Sequence, residues 1–146
     1  MRSSSWRALP FYWFPRDCPR GSVWANNAAD QEVLERTFQT SATRVNATEL
    51  RWLGRMGTAR LYVYEFDRAP FEPWADAEGQ WIAREPIVPL AVRPLGSLLE
   101  LHVEAGVELR FVPDLWRFWR SVLESGLPFS GVRLRNASTA DDGHGP

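Results

Sequence analysis

The C-terminal third of the chain combines helix and strand signals in an order that restricts the fold class. Asp114 follows Pro113 at the start of an amphipathic helix, whose apolar residues recur on one stripe until Gly126 ends it. Segments suited to β-strands flank this helix at Val107–Val112 and Phe129–Leu134. A helix between two strands indicates a fold that combines helices with a sheet.

The N-terminal half repeats this mixture of helix and strand signals. Ala28–Phe38 is predicted to be a helix, since acidic residues lie in its first turns and apolar side chains share one face. Thr43–Thr48 suits a short strand, and Glu49–Gly57 suits a helical turn. Another helix is predicted after Ser97, whose hydroxyl can accept a hydrogen bond from a free amide. The predicted fold is α+β, with a mixed, mostly antiparallel sheet of about five strands and about three helices.

Two more strand candidates lie in the middle of the chain. The segment that begins at Arg60 alternates with the period of two that a strand requires, and two prolines are expected to end it. The second candidate, Trp81–Val92, places Arg84 and Glu85 side by side ahead of an apolar run. A carboxylate at the entry of a strand lies at the rim of a sheet, where a ligand can reach it.

The segment Arg60–Leu109 resembles the rifampin ADP-ribosyltransferase family. It reads R-x-Y-x-x-E-x-x-x-x-x-F-E followed by W-x-A-R-E-P-I, where the family has roughly R-x-Y-x-x-E-P-x-x-x-x-E and then Y-R-S-R-E-P. The resemblance covers about a third of the chain and implies an ADP-ribosyltransferase-like fold. It also implies transfer of ADP-ribose from NAD to a small molecule or a macromolecule.

The same resemblance implies roles for four residues. Glu85 is the implied catalytic residue, because a fixed carboxylate stabilises the positive charge that develops on the ribose during transfer. Arg84 would hold the pyrophosphate of NAD, and Trp81 and Tyr62 would line the nicotinamide pocket by stacking. Each role has a structural alternative. Glu85 and Arg84 can form salt bridges at a sheet edge, and the two aromatic side chains can pack in the core.

Part of the resembling family's NAD site has no counterpart here. In that family a His and a Tyr on earlier strands bind NAD, and none is recognised ahead of Arg60, so the chain as it stands is expected to be inactive. The segment Leu9–Arg20, L-P-F-Y-W-F-P-R-D-C-P-R, resembles the middle of an uncharacterised bacterial family that carries a His-containing strand further upstream. We interpret residues 1–8 as a variable segment that follows a misplaced start, residues 9–135 as one domain and residues 136–146 as a disordered tail.

Charge and cysteine content exclude several function classes. The chain has 17 basic and 18 acidic residues, and every basic residue is an arginine. A chain without net positive charge is a poor candidate for nucleic-acid binding, and a chain without lysine cannot form a Schiff base. The single cysteine excludes an internal disulfide, and no Cys or His spacing suits zinc, so a cytoplasmic protein without a metal is expected. No segment is long and apolar enough to span a membrane.

Two residues outside the resembling segment have both functional and structural interpretations. Arg16 and Arg20 flank Cys18 and could lower its pKa, but the segment is more simply a turn. His102 is interpreted as a helix-surface or core histidine, not as a catalytic base. The alternative to an enzyme is a non-catalytic binding or interaction module on the same scaffold, with a small-molecule or dinucleotide ligand. Such a module could form a homodimer through an exposed sheet edge.

Overall fold

The computed structural model describes residues 9–76 and 80–139, and this part of the chain folds into eight strands and four α-helices. In chain order these elements are β1 (Arg20–Trp24), α1 (Ala28–Phe38), β2 (Arg44–Glu49), α2 (Leu53–Thr58), β3 (Tyr62–Glu65), β4 (Phe71–Pro73), β5 (Trp81–Ala83), β6 (Ala91–Pro94), α3 (Leu98–Glu104), β7 (Glu108–Val112), α4 (Leu115–Ser125) and β8 (Phe129–Val132). Short 3₁₀ turns lie at Leu9–Tyr12, Leu50–Trp52 and Leu134–Asn136.

Four of the strands form the central sheet, in the order β7–β2–β1–β8. Strand β1 is antiparallel to both of its neighbours, so that Val23 pairs with Val45 of β2 on one side and with Phe129 of β8 on the other. Strand β2 runs parallel to β7. The α+β class and the predominance of antiparallel pairing are therefore as predicted.

Helices α1 and α4 cover one face of the central sheet. The side chains that meet there are apolar and buried: Val23, Leu34, Phe38, Val45, Ala47, Leu115, Phe118 and Val122. Local signals define the ends of both helices. Asn27 Oδ1 accepts a hydrogen bond from Asp30 N at 2.9 Å, and Asp114 Oδ1 accepts one from Arg117 N at 3.0 Å. Gly126 closes α4 with a φ of 70°, a left-handed conformation that glycine adopts without steric cost.

The opposite face of the central sheet is buried too, but its strand residues are polar. Side chains alternate between the two faces of a strand, so the neighbours of Val23 and Val45 point away from α1 and α4. Arg20 and Ser22 on β1 lie on this second face with Asn46 and Thr48 on β2, and all four are buried. A second apolar cluster packs near them, formed by Phe14, Cys18, Trp52, Met56 and Leu98.

The remaining strands form two separate two-stranded sheets, β3–β6 and β4–β5, instead of joining one mixed sheet. The strand predicted over Trp81–Val92 is divided into β5 and β6. Pro86 and Pro89 lie between them, where the lack of a backbone N–H prevents a continuous ladder. The strand predicted from Arg60 ends at Glu65, ahead of both prolines that were expected to end it, and Pro73 is the last residue of β4. Four helices are present where about three were predicted, because the turn within Glu49–Gly57 is a short α-helix.

Candidate functional site

Two of the four site residues predicted from the sequence lie in the small sheets, and the other two, Arg84 and Glu85, follow β5 directly. Tyr62 on β3 is exposed and pairs with Pro94 of β6, whereas Trp81 belongs to β5 in the other small sheet. Arg84 Nε lies 2.6 Å from Glu72 Oε1 on β4, and both side chains are exposed. An exposed ion pair of this kind contributes at most about 1 kcal/mol to stability. Arg84 therefore has the structural salt bridge that was its alternative role, although the partner is Glu72 and not Glu85.

Glu85 is exposed directly after β5. Trp81 is half-buried, and its ring stacks against the guanidinium of Arg68 at 4.7 Å. The roles of Glu85, Arg84, Trp81 and Tyr62 in binding NAD stay predictions. The cleft described below is lined by other residues.

An arginine-rich cleft of about 480 Å³ lies beside the edge strand β8. We call it the arginine cleft; its lining residues are Tyr12, Phe14, Pro15, Arg16, Asp17, Arg20, Leu61, Gly131, Val132, Arg133 and Arg135. Among the described residues, four arginines and one aspartate thus line the cleft, in a protein whose formal net charge is −1. Guanidinium groups bind phosphates and carboxylates through paired hydrogen bonds, so the local charge favours an anionic ligand.

Arg20 differs from the other three arginines because it is buried, with 7% of its surface exposed. Its Nε donates to the carbonyl of Phe11 at 3.0 Å, and its Nη1 donates to the carbonyl of Cys18 at 3.0 Å. Its guanidinium also lies 5.2 Å from the centre of the Phe14 ring. Within residues 9–76 and 80–139, Nη2 of Arg20 has no hydrogen-bond partner. Backbone carbonyls therefore hold two of the three guanidinium nitrogens, which leaves the two N–H groups of Nη2 for another acceptor.

Burial also affects the electrostatics of Arg20. Desolvation lowers the pKa of its guanidinium, because a charge removed from water is less stable. The nearby Arg133 acts in the same direction. An anion bound in the cleft would oppose both effects, because an opposite charge nearby favours the charged form of the guanidinium.

Two cleft residues have unusual backbone conformations. Asp17 and Arg133 adopt φ values of 65° and 55°, in the left-handed region that residues other than glycine rarely occupy. Their side chains approach each other, with Arg133 Nε 3.8 Å from Asp17 Oδ1. Asn136 Nδ2 donates to the Asp17 carbonyl at 2.8 Å and so helps to hold the turn. Such strain persists only where the surrounding structure imposes it, and it is commonest at ligand sites.

A buried hydrogen-bond network lies on the face of the central sheet that carries Arg20. Asn46 Nδ2 donates to the Pro10 carbonyl at 3.2 Å and lies 3.1 Å from Nε2 of His102, while Oδ1 accepts from the hydroxyl of Ser22. The Pro10 carbonyl can only accept a hydrogen bond, so the amide atom that faces it must be the nitrogen. The network therefore connects β1, β2, α3 and the turn that carries Tyr12.

The same geometry defines the state of His102. Because Asn46 Nδ2 is a donor, Nε2 of His102 must accept, and Nδ1 then carries the proton and donates to the Leu98 carbonyl at 2.7 Å. Burial lowers the pKa of His102, and the hydrogen bond with Leu98 only partly opposes this effect. The interpretation of His102 as a core histidine agrees with its position, since it is buried against the rings of Trp13 and Phe14.

Stability is expected to fall as the pH drops below the ordinary histidine pKa of about 6.5. In this range the unfolded chain takes up a proton that buried His102 does not, so the unfolded state is favoured. Urea unfolding at about pH 7.5 and about pH 5.5 should show a loss of at most about 1.4 kcal/mol from this group. The substitution His102→Gln keeps a polar end without titration, and an equally large loss in that variant would contradict the assignment.

Sequence reasoning missed most of the cleft. It interpreted the segment around Cys18 as a turn, which is correct: Cys18 N donates to the Pro15 carbonyl at 3.2 Å. The thiol is buried, and desolvation raises its pKa. The hydrogen bond between the thiol and the Thr48 hydroxyl, at 3.2 Å, opposes this shift only in part. The environment of Cys18 therefore does not favour a reactive thiolate. The closely spaced Arg16, Asp17 and Arg20 were the available signal for a charged site.

The described residues contain neither a cluster of potential metal ligands nor a helix that could cross a membrane. No group of three or more His, Cys, Asp or Glu side chains in residues 9–76 and 80–139 is arranged to hold a metal ion. In the same part of the chain, no helix is long and apolar enough to cross a membrane.

Comparison with known proteins gives one family. No curated protein and no solved structure is significantly similar to the chain. The profile of the family of unknown function DUF6886 matches residues 5–137, a span that includes the arginine cleft and the buried network. The chain therefore belongs to the family of unknown function DUF6886.

Proposed function

We propose that this domain binds a small anionic molecule, with a phosphate or pyrophosphate group held in the arginine cleft. The observation that carries the proposal is the buried Arg20, which is fixed through Nε and Nη1 and has no partner for Nη2 in the described chain. Arg16, Arg133 and Arg135 line the same cleft and supply three further guanidinium groups. Several guanidiniums around one space are typical of sites that recognise phosphate or carboxylate.

The proposal is tested by calorimetric titration with inorganic pyrophosphate at low salt. Arg135→Gln removes an exposed guanidinium from the cleft, and the matched control Arg120→Gln removes an exposed one from α4. We expect Arg135→Gln to weaken binding roughly 10-fold, equivalent to about 1.4 kcal/mol, and Arg120→Gln to leave it unchanged. Binding should also weaken as salt is added, since exposed charges are screened.

Two results would contradict the proposal. One is no measurable heat with the wild-type protein at low ionic strength. The other is equal affinity in the Arg135→Gln and Arg120→Gln variants, which would mean that pyrophosphate binds the protein without using the cleft.

A second proposal is transfer of ADP-ribose from NAD, with Glu85 as the charge-stabilising group. The exposure of Glu85 directly after β5 supports it, as does the resemblance of Arg60–Leu109 to rifampin ADP-ribosyltransferases. Arg84 would first have to leave its salt bridge with Glu72. The measurement is nicotinamide release from NAD by the wild type and by Glu85→Gln. Release that needs Glu85 would support transfer, whereas its absence favours the binding module.

The homodimer proposed from the sequence would form through an exposed edge of a sheet, and the strand order gives the candidate edges. Strands β7 and β8 are the two outer strands of the central sheet in the described chain. Association of two copies through one of these edges stays a proposal, which sedimentation at several protein concentrations would test.

A further inference from the structure

The arginine cleft is larger than its anion-binding groups require. Its volume of about 480 Å³ lies within the range of roughly 300–1,000 Å³ that is typical of sites for organic ligands. The lining also includes uncharged side chains, among them those of Tyr12, Phe14 and Leu61. A ligand that matches the cleft therefore has an organic part beside its anionic group.

Tyr12 offers a flat surface for that organic part. Its side chain is 49% exposed, and in residues 9–76 and 80–139 its ring stacks with no other ring. The turn that carries it is anchored nonetheless. The carbonyl of Phe11 accepts from Arg20 Nε, and the carbonyl of Pro10 accepts from Asn46 Nδ2. An exposed ring on an anchored turn loses little conformational freedom when a planar group stacks on it.

Asp17 adds a third requirement on the ligand. Among the described residues that line this cleft it is the only acidic one, and its carboxylate can accept hydrogen bonds but cannot donate them. It would repel a second anionic group placed beside it and would bind a hydroxyl group well. Arg133 Nε lies 3.8 Å from Oδ1 of this carboxylate.

We propose that the ligand is a phosphate ester whose organic part carries hydroxyl groups and a planar ring, which is the chemistry of a nucleotide. The phosphate binds to Arg20 and the neighbouring arginines, the sugar hydroxyls donate to Asp17, and the ring stacks on Tyr12. This inference rests on the proposed binding of an anion in the same cleft. It adds that the ligand is a nucleotide-like phosphate ester and that Tyr12 is the residue that favours a ligand with a planar ring.

The test compares adenosine 5′-monophosphate with ribose 5-phosphate, which has the same charged group and sugar but lacks the planar base. We expect the wild-type protein to bind the nucleotide roughly 10-fold more tightly, in keeping with the stacking of a base on an aromatic side chain. Tyr12→Ala should abolish this preference by weakening only the nucleotide. Tyr12→Phe keeps the ring and should retain the preference, which controls for the fold of the turn.

The outcomes separate the two proposals. Equal affinity for both ligands in the wild type, or an equal loss of both in Tyr12→Ala, would overturn the ring-stacking inference and leave anion binding intact. If neither ligand nor pyrophosphate binds, both proposals fail. A preference for the nucleotide that persists in Tyr12→Ala would also overturn the inference, since another surface would then hold the ring.

Discussion

Replacing Asn46 with Ala is expected to lower the free energy of unfolding by about 3 kcal/mol. The substitution removes an amide that is completely buried and satisfies three partners. The Pro10 carbonyl and Nε2 of His102 would each lose a hydrogen bond in a place that water does not reach, and the hydroxyl of Ser22 would lose its acceptor. Each buried polar group left unsatisfied costs about 1–3 kcal/mol, and the small cavity adds to the loss.

Chemical denaturation with urea measures this loss, and Asn26→Ala is the matched control. Asn26 is exposed ahead of α1, so its replacement should change stability by less than about 0.5 kcal/mol. A double substitution, Asn46→Leu with His102→Leu, should recover part of the stability because it removes two polar groups together. Equal stability of Asn46→Ala and Asn26→Ala would show that the buried network does not stabilise the fold.

Replacing Gly131 with Ala is expected to destabilise the protein by about 1–3 kcal/mol, because there is no space for the added carbon. A Cβ at this position would lie 2.6 Å from Cη2 of Trp119 and 2.8 Å from Cδ1 of Leu134. Both distances are shorter than carbon atoms tolerate, so the Trp119 ring or strand β8 must move. Because Gly131 also lines the arginine cleft, the shift is expected to weaken anion binding as well.

Gly54→Ala is the control for this substitution. A Cβ there would meet nothing within 4 Å, and the residue lies in helix α2. Alanine is a better helix former than glycine, so this change should stabilise the protein by up to about 1 kcal/mol. Opposite signs for the two substitutions in urea unfolding are the expected result. A neutral Gly131→Ala would mean that Trp119 has room to rearrange without cost.

The sequence predicted those elements whose signals are local. The bounds predicted for α1 agree with the structure, and Ser97, the capping residue expected for α3, accepts a hydrogen bond from Glu100 N. Caps and helical periodicity act over a few residues, so they can be recognised without knowing the rest of the fold. Strand β1 was missed for the complementary reason. It is central and covered on both faces, so it lacks the alternation of apolar and polar residues that marks a half-buried strand.

Less of the candidate site than of the secondary structure could be predicted from the sequence, because its residues come together only in the folded chain. Tyr12, Asp17 and Arg20 come from the start of the described chain, and Arg133 comes from its end. Pairing of β1 with β8 brings these segments together, and no local feature of either segment indicates that pairing. Likewise, the sequence shows Ser22, Asn46 and His102 as unrelated polar residues, and only the second buried face of the sheet makes them one network.

Local signals were thus sufficient to predict the α+β class and the ends of α1 and α4. Which arginines share a cleft, and that Glu85 is not among the residues lining it, follows only from the folded chain. The physical reason is the range of the interactions. Propensity, capping and periodicity depend on neighbours within a few positions, whereas a binding site depends on which distant segments are paired and on which side chains that pairing buries.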